Sequence, residues 1–238
     1  MSEESFWDAD EDQEIARHGE FGLTVVRAPH PGNAATLPAH DPDRAREFVA
    51  SFGTVDAVLE ELAPVRAVDA VPLETRRDLD LVSVGCWGGV TEIVDPALGH
   101  CGDNFPVLEQ AEALRERFPD AVIVASATID YHMTYGAWAI FHPDGTGLFA
   151  AGWHGEDHWD FDGDVAAVVR SFGIAPEALA AADVDLDADV NVFHWSGLAE
   201  LALAAVAPLH RGGRTMSAFR VRHTEDATFD MEETWLEM

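Results

Sequence analysis

The stretch AVIVASATIDYHMTYGAWAIFHPDGTGLFAAGW, from Ala121 to Trp153, decides the fold. Ala121–Ile129 is an unbroken β-prone run, the pattern of a central buried strand. Tyr135–His142 and Gly147–Trp153 are further strand-like runs on either side of Pro143-Asp144-Gly145-Thr146, where Asp-Gly marks a two-residue hairpin turn. Such a turn sets the register: paired residue numbers sum to 289. Tyr131 then lies opposite His158 and Tyr135 opposite His154, all four on one face, while Asp130, His132 and Asp157 take the other.

Outward from this hairpin the chain alternates short helices with further strand pairs. Leu79–Val94 carries two β-prone runs around Trp87-Gly88-Gly89, a second tight hairpin. Phe21–Arg27 and Arg214–Thr224 read as strands. Helices are expected after Asp41 or Asp43, with Ala45, Phe48, Val49 and Phe52 on the apolar face, and from Thr54 to Leu62. Another follows Asp103 or Asn104 and Pro106, closed by Pro119. Val165–Phe172, a short segment from Pro176 and one capped by Ser196 complete the set. With no regular βαβ rhythm, the fold class is α+β: a mainly antiparallel sheet of hairpins with helices packed on one face, as a single domain over residues 21–238. Residues 1–20 are carboxylate-rich and aperiodic, and read as a flexible N-terminal arm.

Composition narrows the function classes. The chain holds 44 acidic residues against 14 basic ones, a formal net charge of −30, and every basic residue is arginine. Without lysine there is no Schiff-base amine and no phosphate-loop GK[ST]. Nucleic acid is not an expected partner, because a polyanion needs cations to replace its counterions. No apolar run is long enough for a membrane span and the acidic start is unlike a signal peptide, so a cytoplasmic location is expected, with Cys86 and Cys101 as reduced thiols.

The face proposed for Tyr131, Tyr135, His154 and His158 is the candidate ligand-binding site. Two histidines four residues apart can hold a divalent metal such as zinc, or act as an acid–base pair, but that face lacks a third ligand and no cofactor is otherwise expected. The alternative is a polar, aromatic strand end. His100-Cys101 ahead of a helix could supply a nucleophile, although adjacent side chains diverge. Ser196 lacks the GxSxG elbow. The aspartate runs 183–189 and 160–164 miss the glycine or glutamate of a calcium loop. Trp87, placed at a turn, is a candidate interface anchor. No catalytic residue is assigned.

The segments ASFGTVDAVLEEL, DLDLVSVGCWGG, EQAEALRERFPDA and FRVRHTEDAT resemble an uncharacterised family of acidic, lysine-poor actinobacterial proteins. That resemblance implies a bacterial cytoplasmic protein of unknown function and transfers no functional residue. The expectation that follows is a non-catalytic, acidic binding or interaction protein, immunity-like or inhibitory, with a basic partner. The alternatives are a metal-dependent or histidine-based enzyme at the 131–158 hairpin, and a small-molecule binding domain with an apolar cleft.

Overall fold

A computed structural model describes residues 6–236 apart from 33, 35, 103 and 209–212. Among the described residues ten strands form one sheet: β1 His18–Arg27, β2 Val55–Glu61, β3 Val65–Arg66, β4 Leu81–Trp87, β5 Val90–Val94, β6 Ala121–Asp130, β7 Thr134–Phe141, β8 Gly147–Trp153, β9 Trp159–Gly163 and β10 Thr215–His223. Their order is β2-β10-β4-β5-β1-β6-β7-β8-β9, with β3 beside β10, and every pair is antiparallel. The helices are α1 Pro42–Val49, α2 Pro106–Arg117, α3 Val165–Ser171, α4 Pro176–Ala181, α5 Trp195–Val206 and α6 Glu225–Met231. None is long and apolar enough to cross a membrane.

The mainly antiparallel sheet agrees with the sequence reading, but the helices cover both faces instead of one. Along β6, Ile123, Ala125, Ala127 and Ile129 pack with Phe48 and Val49 of α1, Ala111 and Leu114 of α2, and Met231 of α6. Val122 and Val124 point the other way, into a second cluster with Val168 of α3, Leu179 of α4, and Leu198 and Ala202 of α5. Side chains alternate across a strand, so a run apolar at every position must be covered twice.

Three other expectations are corrected. Residues 55–61, read as helical, form β2, whose backbone is tied to β10 through Val58–Val221 and Ala57–Arg222; pairing overrides a helix-like spacing and leaves Leu59 exposed. The described part of the proposed flexible arm is bonded to the rest of the chain from Trp7 onward. The Trp7 indole donates to Asp80 Oδ1 at 2.8 Å, the Asp8 amide to Glu232, and the Ala16 amide to the Trp235 carbonyl, and β1 begins at His18. Of the expected caps, Asp41 does accept the Arg44 amide, at 3.1 Å, but Ser196 lies inside the first turn of α5, whose cap residue is His194. Asp103 lies outside the described residues, and Asn104 turns instead to Asp230, 2.6 Å away.

Candidate functional site

The second face of the sheet, beneath α5, carries an aromatic floor built from glycines. Gly136 on β7 pairs with Gly152 on β8. A Cβ on Gly136 would stand 1.9 Å from the Trp138 ring, and one on Gly152 2.5 Å from Trp159, so each indole lies flat over a glycine. The two ring planes are 8° apart, with centroids separated by 6.4 Å. Trp195, at the start of α5, sits 6.4 Å and 6.3 Å from them and is fixed by its indole N–H to the Val190 carbonyl. Phe193 and Phe161 close on Trp195 at 4.4 Å and 5.7 Å.

Beside this floor the layers separate. Gly22, Ser126 and Thr128 on the sheet face Ser196, Ala199 and Ala204 on α5, and side chains this small on both sides leave a cavity of about 820 Å³. Among its described lining residues are three carboxylates, Glu20, Glu92 and Glu200, and no arginine. Glu92 is buried and pairs with Arg214 at 3.4 Å. An adjoining hollow of about 420 Å³ shares Thr128, Trp138 and Ser196 with it and is edged by His154, His194 and Asp183.

The four residues predicted as a ligand cluster do not share a face. Paired residues of β7 and β8 sum to 288, one less than expected, as in Tyr135–Trp153 and Phe141–Gly147. The loop holds three residues: the His142 amide donates to the Thr146 carbonyl, and Gly145 alone of Asp144-Gly145 has positive φ, at 95°. The type I′ turn expected of Asp-Gly would need positive φ at both; a glycine bulge needs it at one. A slip of one residue reverses the faces. Tyr131 and Tyr135 therefore meet Trp153 in the first core, with ring centroids at 5.0 Å and 5.3 Å, whereas His154 edges the tryptophan hollow and His158 stands exposed one residue before β9. Among the described residues no three His, Cys, Asp or Glu side chains gather as a metal site.

Other candidates resolve into structural roles. Burial, joined for Tyr131 by its contact with Cys101 Sγ at 2.9 Å, raises both tyrosine hydroxyls well above their usual range and keeps them neutral phenols. His100 turns away from Cys101 toward Thr234, 3.0 Å from Nδ1. Trp87 is 3% exposed, flat against Gly85 with the Arg214 guanidinium 4.3 Å above its ring, and is no surface anchor. A Ser217–His40 contact at 3.0 Å suggests a nucleophile and its base. The tautomer rules that out: His40 Nδ1 accepts the Cys86 amide, so Nε2 holds the proton and donates to Ser217.

No sequence motif marks where the charge goes. Residues 118–210 hold fourteen carboxylates, from Asp120 to Glu200, against one arginine, Arg170. Glu156, Asp157, Asp160, Asp162 and Asp164 stand exposed on and around β9, with Asp183, Asp185, Asp187 and Asp189 exposed before α5. Among the described residues the arginine–carboxylate pair found there is Arg170–Asp164, at 3.6 Å. Set among these acids are the exposed apolar side chains Phe161, Leu186 and Val192. At the other end of the sheet acids are matched: Arg222 with Asp56 at 2.7 Å, Arg46 with Glu61, Arg220 with Glu60. The spacing of arginines along the sequence was the signal available for this asymmetry.

Comparison with known proteins adds one finding: the model of a family of unknown function, DUF6333, matches residues 6–238. No curated protein and no solved structure matches the chain.

Proposed function

The chain belongs to this family of unknown function, and from that premise we propose that it is a non-catalytic binding protein whose β9 end receives a basic partner protein. The observation that carries this reading is the segregation of exposed carboxylates, only Asp164 among the described ones having an arginine partner, around an exposed aromatic, Phe161. Like charges gathered on one surface raise the local potential and accelerate encounter with a cation, and an apolar anchor among them supplies contact once water is excluded. An immunity-like or inhibitory role fits such a surface.

The test is a kinetic binding series with a short arginine-rich peptide. Asp160→Arg/Asp162→Arg is expected to slow association by about tenfold and flatten its salt dependence. The control, Asp56→Arg/Glu60→Arg at the β2 end, is expected to change it little. Equal effects from both pairs would mean that net charge alone governs binding and that the β9 end is not a site.

A second reading rests on the cavity under α5: a small organic cation held between the indole floor and Glu20 or Glu200. Benzylammonium at ten times its dissociation constant should stabilise the protein by ~1.4 kcal/mol. Ser126→Leu, which fills the cavity, should abolish that gain in a thermal melt. A leucine variant that responds like the parent would remove this reading.

A further inference from the structure

We infer that the basic partner segment joins the sheet as an added strand along β9, with alternating cationic and apolar residues and an apolar residue opposite Phe161. This rests on the proposed function and specifies how that surface binds. Among the described residues β9 pairs with β8 alone and is the last strand of the sheet.

The phase of its hydrogen bonds follows from the hairpin before it. The His142 amide donates to the Thr146 carbonyl and the His154 amide to the Thr134 carbonyl. Both ends of the β7–β8 ladder thus place the even-numbered residues in the bonded pairs, and in an antiparallel ladder bonded and non-bonded pairs alternate. Leu148, Ala150 and Gly152 direct their backbone to β7, so Phe149 and Ala151 direct theirs to β9, where they meet Asp162 and Asp160. The N–H groups of Trp159, Phe161 and Gly163 and the C=O groups of Trp159 and Phe161 therefore point away from β8, along the outer edge of the sheet. Asp160, Phe161, Asp162 and Gly163 are all exposed, so the edge is within reach.

An edge of this kind recruits a strand unless something opposes it. Here the aspartates on either side of Phe161 oppose a second copy of this acidic chain and favour a basic one. The register dictates the rest. A residue opposite Phe161 projects onto the face that carries Trp159 and Trp195, beside an aromatic side chain 5.7 Å from Trp195. Its two neighbours project onto the opposite face, next to Asp160 and Asp162. The partner segment that fits reads basic–apolar–basic, and its apolar residues are the ones whose amides bond to β9.

The probe is the capped peptide Arg-Val-Arg-Val-Arg-Val-Arg, measured by calorimetry against the full chain, alongside two versions N-methylated on the valines or on the arginines. Methylating the valine amides removes the donors that face β9 and should weaken binding by about a hundredfold, while methylating the arginine amides should change it by no more than about twofold. Phe161→Pro removes, beyond the side chain that Phe161→Ala also removes, an outward N–H that is not part of the β8–β9 ladder; it should keep the circular dichroism spectrum and bind the parent peptide about tenfold more weakly than Phe161→Ala. Tight binding of the parent peptide with equal tolerance of both methylation patterns, or equal loss from both, would overturn strand addition and leave the acidic surface as the binding site. Absence of binding by the parent peptide would overturn both.

Discussion

Asp95→Asn is expected to destabilise the protein by about 3–5 kcal/mol at neutral pH. Asp95 and His223 are fully buried and joined at 3.0 Å, and the same carboxylate accepts the Thr54 hydroxyl at 2.5 Å and the Ala97 amide at 2.9 Å. These bonds tie together the end of β5, the end of β10 and the residue ahead of β2. Burial alone would raise the Asp95 pKa, but the facing imidazole and its hydrogen bond, then the Thr54 and Ala97 bonds, outweigh it and hold the carboxyl below its ordinary value. A folded-state pKa below the unfolded one near 3.9 contributes stability that is fully present above that pH and is lost as pH falls through the folded value. The gap between parent and variant in urea denaturation should thus be widest at neutral pH and narrow below about pH 3.9. A gap that stays constant into acid would show that the carboxylate charge contributes nothing.

Gly136→Ala should be the next largest loss, about 2–3 kcal/mol, and its sign is the informative part. Alanine in place of an ordinary strand glycine gains up to about 1 kcal/mol, because the unfolded chain loses freedom. At Gly136 the new methyl would meet the buried Trp138 ring at 1.9 Å, and Trp138 is hemmed in by Trp159 and Trp195. Gly22 is the control on the same face: its added Cβ would come no closer than 3.4 Å to anything, so Gly22→Ala should be neutral or stabilising. Equal effects at the two glycines would mean that the indole floor does not depend on Gly136.

Much of the architecture was legible because the local signals were strong. Trp87-Gly88-Gly89 does turn β4 into β5, Pro106 opens α2, and the run from Ala121 is the strand that both cores share. β2 was not legible, because Val55, Val58, Leu59 and Leu62 recur at helical spacing and only its pairing with β10 decides otherwise. The candidate histidine site failed for a smaller reason. Pro143 and Gly145 flank a single extra loop residue, and that residue carries His154 to the other face from Tyr135. Gly136 and Trp138, two apart on one strand, contained the aromatic floor in plain view, yet a glycine beneath an indole is recognisable only once the strand is known. The acidic end of the sheet lay in the sequence as a count, one arginine in residues 118–210, and became a surface only when β9 was placed at the edge.

The most direct measurement is an amide-resolved titration of the isotopically labelled protein with the alternating arginine–valine peptide. Binding at the acidic edge predicts that the amides of Trp159, Phe161 and Gly163 shift and gain protection from hydrogen exchange, with the β2 and β10 amides unmoved. Perturbation centred on β2 and β10, or spread evenly over the surface, would contradict a partner site at β9.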